Sequence, residues 1–403
     1  MKSLFGRFKE IWKLMFLLVL MLIVFCYAMF QGGFVSWFLF YSFLPFALFA
    51  LGVSLYPLGS FSGERSFSHR EFVAGEPVKV RVELKRGTAF PLFYLIVQEM
   101  AGNSLPGSRM RGAKRLVFPG FRKTFTLDYT VQNIPRGEHL FQGIRLKTGD
   151  LLGLAEREKI LPLEDRILVY PSYEEMVYRP FENRFDQGAA SSNERISRDS
   201  TMSVGVREYQ PGDRFSWINW KASAKRNDFM TKEFEQRQSH EVLVLMDCQD
   251  VPQFEAVVAF CASVLRAMLR RGVEAGLLTV GGERFMVPVR GGEDQQHKLL
   301  YHLAKIKADS TIPFDQVLAA ESFAGRQNTL MLITAKLTEG LIDKAAYSSK
   351  GNGAVTIFLV KKSQEPVSGS ELSLKTVARS RGIRVFSVYE GHFAEAFSEV
   401  NSG

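Results

Sequence analysis

A stretch of the sequence between Arg207 and Glu235 gathers side chains that could carry out acid–base chemistry. Glu208 and Asp213 could form a general acid and base pair, and Lys221 could shift the pKa of one of the two carboxyls. No histidine, serine or cysteine of this stretch stands in an evident arrangement of nucleophile and base. These residues define the first hypothesis, a catalytic site.

The same stretch also permits a structural or docking interpretation. Pro211, Gly212 and Asp213 have the sequence of a tight turn, and tryptophans and an isoleucine follow it, so we expect Trp220 to be buried beneath the turn. Charged side chains then satisfy one another, as they do in many structural networks. We favour this interpretation over catalysis. Its candidate residues are Arg207, Glu208, Tyr209, Pro211, Gly212, Asp213, Trp220 and Lys221.

A third hypothesis for the stretch is nucleic-acid binding. Basic residues stand beside aromatic ones, as in Arg214, Phe215 and Trp217, and such pairs can grip phosphates and stack on bases. Acidic residues are interleaved throughout, however, whereas a phosphate-binding stripe is more one-sided. The sequence also lacks the G-x-x-x-x-G-K-[ST] pattern of P-loop ATPases. We therefore expect neither nucleic-acid binding nor ATP hydrolysis of that type.

The composition indicates a large protein of a reducing compartment. The 403 residues are 46% hydrophobic and 23% charged, which is enough for about two or three packed domains. Cys26, Cys248 and Cys261 share no disulfide or zinc spacing. The net charge of +9 predicts a polyanionic partner or an anionic membrane surface. No cofactor is predicted.

The N-terminal region predicts a membrane anchor. No charged residue or histidine occurs from Leu14 to Gly63. One span needs about 20 apolar residues, so this block is long enough for two. Gln31–Gly33 is the natural connection, and Pro45 is expected to kink the second span. We predict a two-helix transmembrane hairpin in residues 1–60.

Basic residues flank this hairpin on one side only, and the connection between the spans has none. They are Lys2, Arg7, Lys9 and Lys13 before the first span, and Arg65 and Arg70 after the second. Because cytoplasmic flanks carry the excess of Lys and Arg, both ends are expected in the cytoplasm. The predicted location is the cell membrane, multi-pass, with the soluble domains on the cytoplasmic side.

The soluble part of the sequence divides by its periodicity. Residues 61–172 contain alternating segments such as "VKVRVELK" and "KTFTLDYTV", which predict the half-buried strands of a β-sandwich. Residues 173–203 are polar and predict an exposed linker. From residue 204 to 403, buried strands alternate with helices, which predicts an α/β doubly wound sheet. The fold class is therefore multidomain.

Several motifs together resemble the bacterial domain-of-unknown-function 58 family. They are "GDLLGL", "RILVYP", "REYQPGD", "INWKASAK", "TKEFE" and "LVLMD", which extend the resemblance over nearly the whole chain. The matching positions in the most specific part are Arg207, Glu208, Tyr209, Pro211, Gly212, Asp213, Ile218, Trp220, Lys221, Ala222 and Ala224. Ser216 and Asn219 depart from the pattern, because arginine and aspartate are frequent at those positions.

The resemblance implies a von Willebrand factor A-like fold for the C-terminal domain. It also implies a gene encoded beside those of MoxR-type AAA+ ATPases and transglutaminase-like membrane proteins. Domains of this fold often bind a cation through an Asp-x-Ser-x-Ser loop. Here Gln249 and Val251 replace the two serines after Asp247, and Ala335 stands where a later aspartate is common. We expect a degenerate site at Asp247 and Asp250 that binds no metal tightly.

These observations lead to one functional prediction and one alternative. We predict a membrane-anchored cytoplasmic interaction or scaffold module that works with a MoxR-type AAA+ ATPase and neighbouring envelope proteins, rather than an enzyme. The alternative is a hydrolase or other enzyme that uses Glu208 and Asp213, with a weakly bound cation at Asp247.

Overall fold

The computed structural model describes residues 2–69, 71–102, 110–150, 153, 155–179, 198–210, 213, 215–236, 241–321, 329–352, 354–363 and 365–397. The chain divides into two compact units, Met1–Pro171 and Ser172–Gly403. The protein is multidomain, with an apolar N-terminal helix, several β-sheets and further helices.

Two helices begin the first unit, α1 (Lys2–Gln31) and α2 (Phe34–Leu55). Gly32 joins them with a φ of +61°, a conformation that favours glycine. Phe25 of α1 contacts Trp37 of α2 with a ring-centroid distance of 6.4 Å, so the helices pack together. Among the described residues, α2 is the helix long and apolar enough to cross a membrane, and the apolar part of α1, Leu18–Gln31, is shorter.

In the described residues, the rest of the first unit contains nine strands in two sheets. The strands are β1 (Phe61–Phe67), β2 (Phe72–Val73), β3 (Val78–Arg86), β4 (Tyr94–Ala101), β5 (Met110–Arg111), β6 (Lys114–Val117), β7 (Thr124–Val131), β8 (Gly137–Gly149) and β9 (Glu156–Tyr170). The sheet orders are β1-β3-β7-β5 and β2-β9-β8-β4-β6. Both sheets contribute to one apolar core, as in a β-sandwich. The predicted alternation in β3 is confirmed, since its valines and Leu84 are buried.

A buried ion-pair network links the two sheets. The Arg65 guanidinium donates to Oε1 of Glu99 at 2.6 Å and also pairs with Asp165. Tyr129 donates to Oε2 of Glu99 at 2.9 Å, and the guanidinium lies over the Phe141 ring. Because the side chains of Arg65 and Glu99 are fully buried, Arg65 is an interior charge of the sandwich rather than a surface residue beside the membrane.

The predicted linker over residues 173–203 is only partly a linker. Glu174 donates its backbone N–H to the Ser263 hydroxyl at 2.9 Å, and Tyr178 is buried against Phe397. The start of the segment is therefore packed on the second unit, where an exposed chain was expected. At its other end, strand β10 (Arg198–Glu208) already begins within the predicted linker. Residues 180–197 lie outside the described part of the chain.

The remaining strands and helices of the second unit are α3 (Trp220–Arg226), β11 (Met230–Gln236), β12 (Glu241–Met246), α4 (Phe254–Arg270), β13 (Glu274–Val280), β14 (Arg284–Arg290), α5 (Glu293–Lys305), α6 (Phe314–Ala320), β15 (Thr329–Thr334), α7 (Glu339–Asn352), β16 (Val355–Lys361), α8 (Gly369–Ser380) and β17 (Arg384–Tyr389). Six of these strands form one sheet in the order β14-β13-β12-β15-β16-β17. All neighbours are parallel except β13 and β14.

Helices cover both faces of this sheet because its strands are apolar on both sides. Phe260 of α4 packs on Phe358 at a ring-centroid distance of 5.2 Å. On the opposite face, α7 contributes Leu341 and Ile342 to a core shared with Leu332. This is the doubly wound arrangement that the alternation of strands and helices predicts.

Candidate functional site

The stretch that raised the question of chemistry forms a two-stranded ribbon with a folded tip. Strands β10 and β11 pair antiparallel, with Arg207 opposite Thr231 and Glu208 opposite Met230. Only residues 237–240 separate β11 from β12, so the ribbon is connected to the amino end of a sheet strand.

The tip of the ribbon, residues 209–229, is closed by backbone hydrogen bonds. Tyr209 donates its N–H to the Phe229 carbonyl at 2.9 Å, and Asn219 donates to the Met230 carbonyl at 2.8 Å. Asn219 also caps α3, since its side-chain oxygen accepts from the Ala222 N–H. These bonds explain why a short helix forms here without an amphipathic period.

Arg207 and Asp213 form the central ion pair of the tip. Nη2 of Arg207 donates to Oδ1 of Asp213 at 2.7 Å, and the Gln210 N–H donates to Oδ2 at 3.0 Å. The hydrogen bond from Arg207, followed by that from Gln210, holds the pKa of Asp213 below its ordinary range. The ionised carboxylate of Asp213 therefore accepts two hydrogen bonds that hold it to Arg207 and Gln210. Pro211 and Gly212, also candidates for this turn, lie outside the described residues.

Glu208 and Lys221 do not join this pair in the way that an acid–base site requires. Consecutive strand residues point to opposite faces, so Glu208 points away from the face on which Arg207 meets Asp213. Both Glu208 and Lys221 are exposed. A carboxylate held ionised by Arg207 is also poorly suited to donate a proton. The geometry therefore gives no support to an acid–base pair of Glu208 and Asp213.

The packed centre of the tip differs from the prediction. Ile218 and Met230 are buried, at 4% and 3% exposure, and Ile218 bridges Thr231. Trp220, which we expected to be buried, is 65% exposed, so that expectation is wrong. The physical reason is its position at the first residue of α3, where its ring lies against Phe229 at the surface.

Four aromatic side chains form a continuous patch, which we call the aromatic tip and define as Tyr209, Phe215, Trp220 and Phe229. Tyr209 is half-buried and the other three are exposed. Tyr209 stacks on Phe215 at 6.3 Å and meets Phe229 edge-on at 6.3 Å, and Phe229 contacts Trp220 at 6.5 Å. Phe215 and Phe229 are 75% and 55% exposed. The sequence pointed to Phe215 only within the nucleic-acid hypothesis and did not single out Phe229, although aromatic residues that flank a turn without a core-facing period are a usable signal.

Charged side chains surround the aromatic tip. The exposed basic residues are Lys221, Lys225, Arg226 and Lys232, and the exposed acidic residues are Glu208 and Asp228. Among the side chains that the structure describes, the charges beside the tip are therefore mixed in sign, with more basic than acidic groups.

The carboxyl edge of the sheet holds the degenerate cation site. Asp247 follows β12 and is buried, and its carboxylate accepts from the Thr334 hydroxyl at 2.7 Å and from the Gln249 N–H at 3.1 Å. Burial raises the pKa of Asp247, and these hydrogen bonds oppose the rise. Within the described ranges, no group of three or more His, Cys, Asp or Glu side chains is arranged to hold a metal ion. Both carboxylate oxygens of Asp247 are thus engaged by protein donors.

A family model and a known protein both match this chain. The family described as "Protein of unknown function DUF58" matches residues 205–374. The chain is 39% identical over 378 residues to "Uncharacterized protein YeaD" of Bacillus subtilis (strain 168), which covers 93% of this chain and 94% of that protein.

Two solved structures share weaker likenesses. The bacterial hydrophobin BslA is 12% identical, covers 29% of this chain and 100% of its own, and has a TM-score of 0.19. The sporulation control protein Spo0M from Bacillus subtilis is 14% identical over 28% of this chain and 50% of its own, with a TM-score of 0.12. At these scores neither structure informs the function.

Proposed function

Because the chain belongs to the family Protein of unknown function DUF58, which assigns no reaction by itself, we propose from the site that it is a membrane-anchored interaction module. A protein partner docks on the ribbon. The observation that carries this proposal is the aromatic tip, whose Phe215, Trp220 and Phe229 are all more than half exposed. Exposed apolar patches with polar rims mark interaction sites.

The tip is suited to docking because it is held in shape before a partner binds. The Arg207–Asp213 pair closes the turn, and Ser223 accepts from the Met230 N–H at 2.9 Å, which ties α3 to β11. A preorganised surface loses less conformational entropy on association than a disordered one. Aromatic side chains and arginine are also the residues most often found at the energetic centre of interfaces.

The proposed partner is a MoxR-type AAA+ ATPase, together with neighbouring envelope proteins. This identification rests on the family resemblance. We also propose that the six-stranded sheet is a von Willebrand factor A-like domain, which the strand order with an antiparallel edge strand β14 supports. The engagement of Asp247 by Thr334 and Gln249 supports a module that works without a tightly bound cation.

The proposed anchor is a two-span hairpin with both ends in the cytoplasm. The ring contacts between α1 and α2 support the hairpin, because they require the two helices to lie side by side. The uncharged length of α2 supports its insertion. The excess of basic residues on the flanks supports a cytoplasmic orientation.

Affinity capture from detergent-solubilised membranes tests the proposal. The bait is the full chain, and the variant carries Phe215→Ala, Trp220→Ala and Phe229→Ala. The control is Tyr347→Ala, which removes an even more exposed aromatic ring (81%) from helix α7. We expect the parent and the control to retrieve the ATPase and the triple variant to lose it. Equal retrieval by all three would contradict docking on the ribbon.

A further inference from the structure

An exposed turn of the β-sandwich combines aromatic and basic side chains. Residues 118–123, which we call the aromatic-basic turn, read "FPGFRK". Phe118 and Phe121 are each 72% exposed, and Arg122 and Lys123 are exposed beside them. The sequence from 113 to 127 contains no acidic residue. The turn therefore presents apolar rings and positive charge together, without the mixed signs of the ribbon.

The exposure of these rings is built into the fold. The buried guanidinium of Arg86 donates to three carbonyls, those of Phe90 at 2.8 Å, Gly120 at 2.7 Å and Arg122 at 2.7 Å. The Arg122 N–H donates to the Pro119 carbonyl at 2.9 Å and closes the turn. Gly120 has a φ of +51°, a value that favours glycine. A turn fixed by this many bonds holds its rings outward.

The turn lies at the end of the sandwich that contacts α2. Gly120 and Leu92 exchange backbone hydrogen bonds of 3.1 and 3.2 Å. Phe93, the next residue, packs edge-on against Phe49 of α2 at 4.6 Å. A Cβ at Gly52 would lie 2.7 Å from the Phe90 ring, so the glycine is what permits this close approach of helix and sandwich.

The depth of this contact along α2 places it close to the bilayer. Phe49 precedes the helix end at Leu55 by six residues, which is about 9 Å at 1.5 Å per residue. A span needs about 20 apolar residues, and α2 has 22. If α2 spans the membrane, the residues that touch Phe49 must therefore lie near the level of the lipid headgroups, and the aromatic-basic turn is bonded directly to them.

We propose that the aromatic-basic turn inserts Phe118 and Phe121 into the membrane interface and binds anionic lipid headgroups through Arg122 and Lys123. The proposal rests on the membrane anchoring by α2 that is part of the proposed function. Aromatic rings are enriched at the interface, and basic side chains beside it favour anionic lipid. The turn thus fixes how the sandwich stands on the membrane, a role separate from docking at the ribbon.

Depth-dependent quenching in proteoliposomes tests this inference on the full chain. An environment-sensitive fluorophore is attached at Phe121→Cys and, as the matched control, at Glu76→Cys. Glu76 is exposed at the opposite end of β3, about 30 Å away for a strand of nine residues. Cys26 is replaced by serine in these variants, and Cys248 and Cys261 are buried. The quencher is a lipid spin-labelled near the glycerol backbone.

We expect quenching at position 121 and none at position 76, with stronger quenching when phosphatidylglycerol is added to phosphatidylcholine. Each basic residue should favour the contact with anionic lipid by about fivefold, equivalent to about 1 kcal/mol. Arg122→Glu with Lys123→Glu should therefore remove the effect of phosphatidylglycerol. Lys79→Glu with Arg166→Glu, which reverses exposed charges toward the other end of the sandwich, should not.

A third labelling position separates the failure of this inference from the failure of the anchor. The native Cys26, exposed in the apolar part of α1, carries the fluorophore in the parent chain. Quenching at Cys26 without quenching at position 121 would overturn the inference and leave the anchor intact. Quenching at position 121 that is equal with and without phosphatidylglycerol would overturn the assignment of anionic lipid as the ligand. Absence of quenching at Cys26 in the parent chain would contradict the membrane anchor and therefore also the inference.

Discussion

Nη2 of Arg207 lies 2.7 Å from Oδ1 of Asp213, and this ion pair joins the last residues of β10 to the turn that carries the aromatic tip. The two residues are also connected through the Gln210 N–H, which donates to the second carboxylate oxygen of Asp213. The pair therefore sets the position of the tip relative to the ribbon. Asp213, one of the two carboxyls of the catalytic hypothesis, accepts from Arg207 in this geometry and so forms part of a clamp.

The pH dependence of the tip follows from the pKa of Asp213. Because the folded-state pKa is lowered by Arg207, the ionised carboxylate stabilises the tip at pH values above the ordinary aspartate pKa, about 3.9. That stabilisation is lost as the pH falls through the lower folded-state value. The backbone amides of the tip should stay protected from hydrogen exchange until the pH falls below the ordinary pKa range of an aspartate. In Asp213→Asn the same amides should be less protected at neutral pH, and their protection should not change as the pH falls through that range. Protection equal to that of the parent would argue against the clamp.

Two neighbouring substitutions should differ strongly in their effect on stability. Ile218→Ala removes a buried side chain and should destabilise the tip by about 2–5 kcal/mol. Trp220→Ala removes an exposed ring and should change stability by no more than about 0.5 kcal/mol. Limited proteolysis within the ribbon measures both effects in the full chain. Greater sensitivity of the Trp220 variant than of the Ile218 variant would show that the tryptophan is a packing residue.

Asp247 should act as a hydrogen-bond acceptor rather than as a metal ligand. Calorimetry with magnesium, manganese and calcium should detect no binding tighter than about millimolar. Asp247→Asn keeps an acceptor for the Gln249 N–H and removes a desolvated charge, so it should be tolerated at neutral pH. Asp247→Ala leaves the donors unmatched and should cost about 1–3 kcal/mol. Micromolar metal binding that Asp247→Ala abolishes would refute this view.

The raised pKa of Asp247 predicts how the effect of Asp247→Asn on stability changes with pH. A carboxyl whose pKa is raised on folding binds protons more tightly in the folded state, so its contribution favours folding at low pH and is lost as the pH rises through the folded value. The benefit of Asp247→Asn should therefore be larger at neutral than at acidic pH. Thermal melting of the parent and the variant at both pH values measures this difference.

The membrane topology has a direct test. Reporter fusions after Gly63 and at the C-terminus should both report the cytoplasm, because the basic residues around the two predicted spans lie on one side. An external signal from either fusion would exclude the two-span hairpin in that orientation. Both fusion sites follow the second predicted span, so a further reporter at the N-terminus, which a single span would place on the opposite side, distinguishes one span from two.

The elements with a strong period could be predicted from the sequence. The alternation of Val78, Val80 and Val82 identifies β3, because one face of that strand is buried. The apolar run of β12 likewise identifies a strand covered on both faces. Periodicity reports burial, and both strands are packed against large cores. The family resemblance from the motif residues is confirmed by the comparisons.

The ribbon and the buried charge could not be predicted in this way. Strand β10 begins at Arg198, within a polar stretch, and Val206 near the tip of the ribbon is exposed. The two-stranded ribbon does not pack on a large core, so its sequence shows no hydrophobic period. Trp220 is apolar by type but stands at the surface, so composition alone suggested burial. Arg65 is charged by type but lies in the sandwich core, because Glu99 and Asp165 neutralise it. Long-range partners decide these cases.

The central claim is that the aromatic tip binds the partner ATPase, and direct titration tests it. The full chain is held in nanodiscs and titrated with the purified MoxR-type ATPase at two salt concentrations. We predict saturable binding that weakens with salt, because exposed charges are screened. The triple substitution of Phe215, Trp220 and Phe229 by alanine should abolish it, and Tyr347→Ala should not. Undiminished binding by the triple variant, with its fold intact by circular dichroism, would contradict the account.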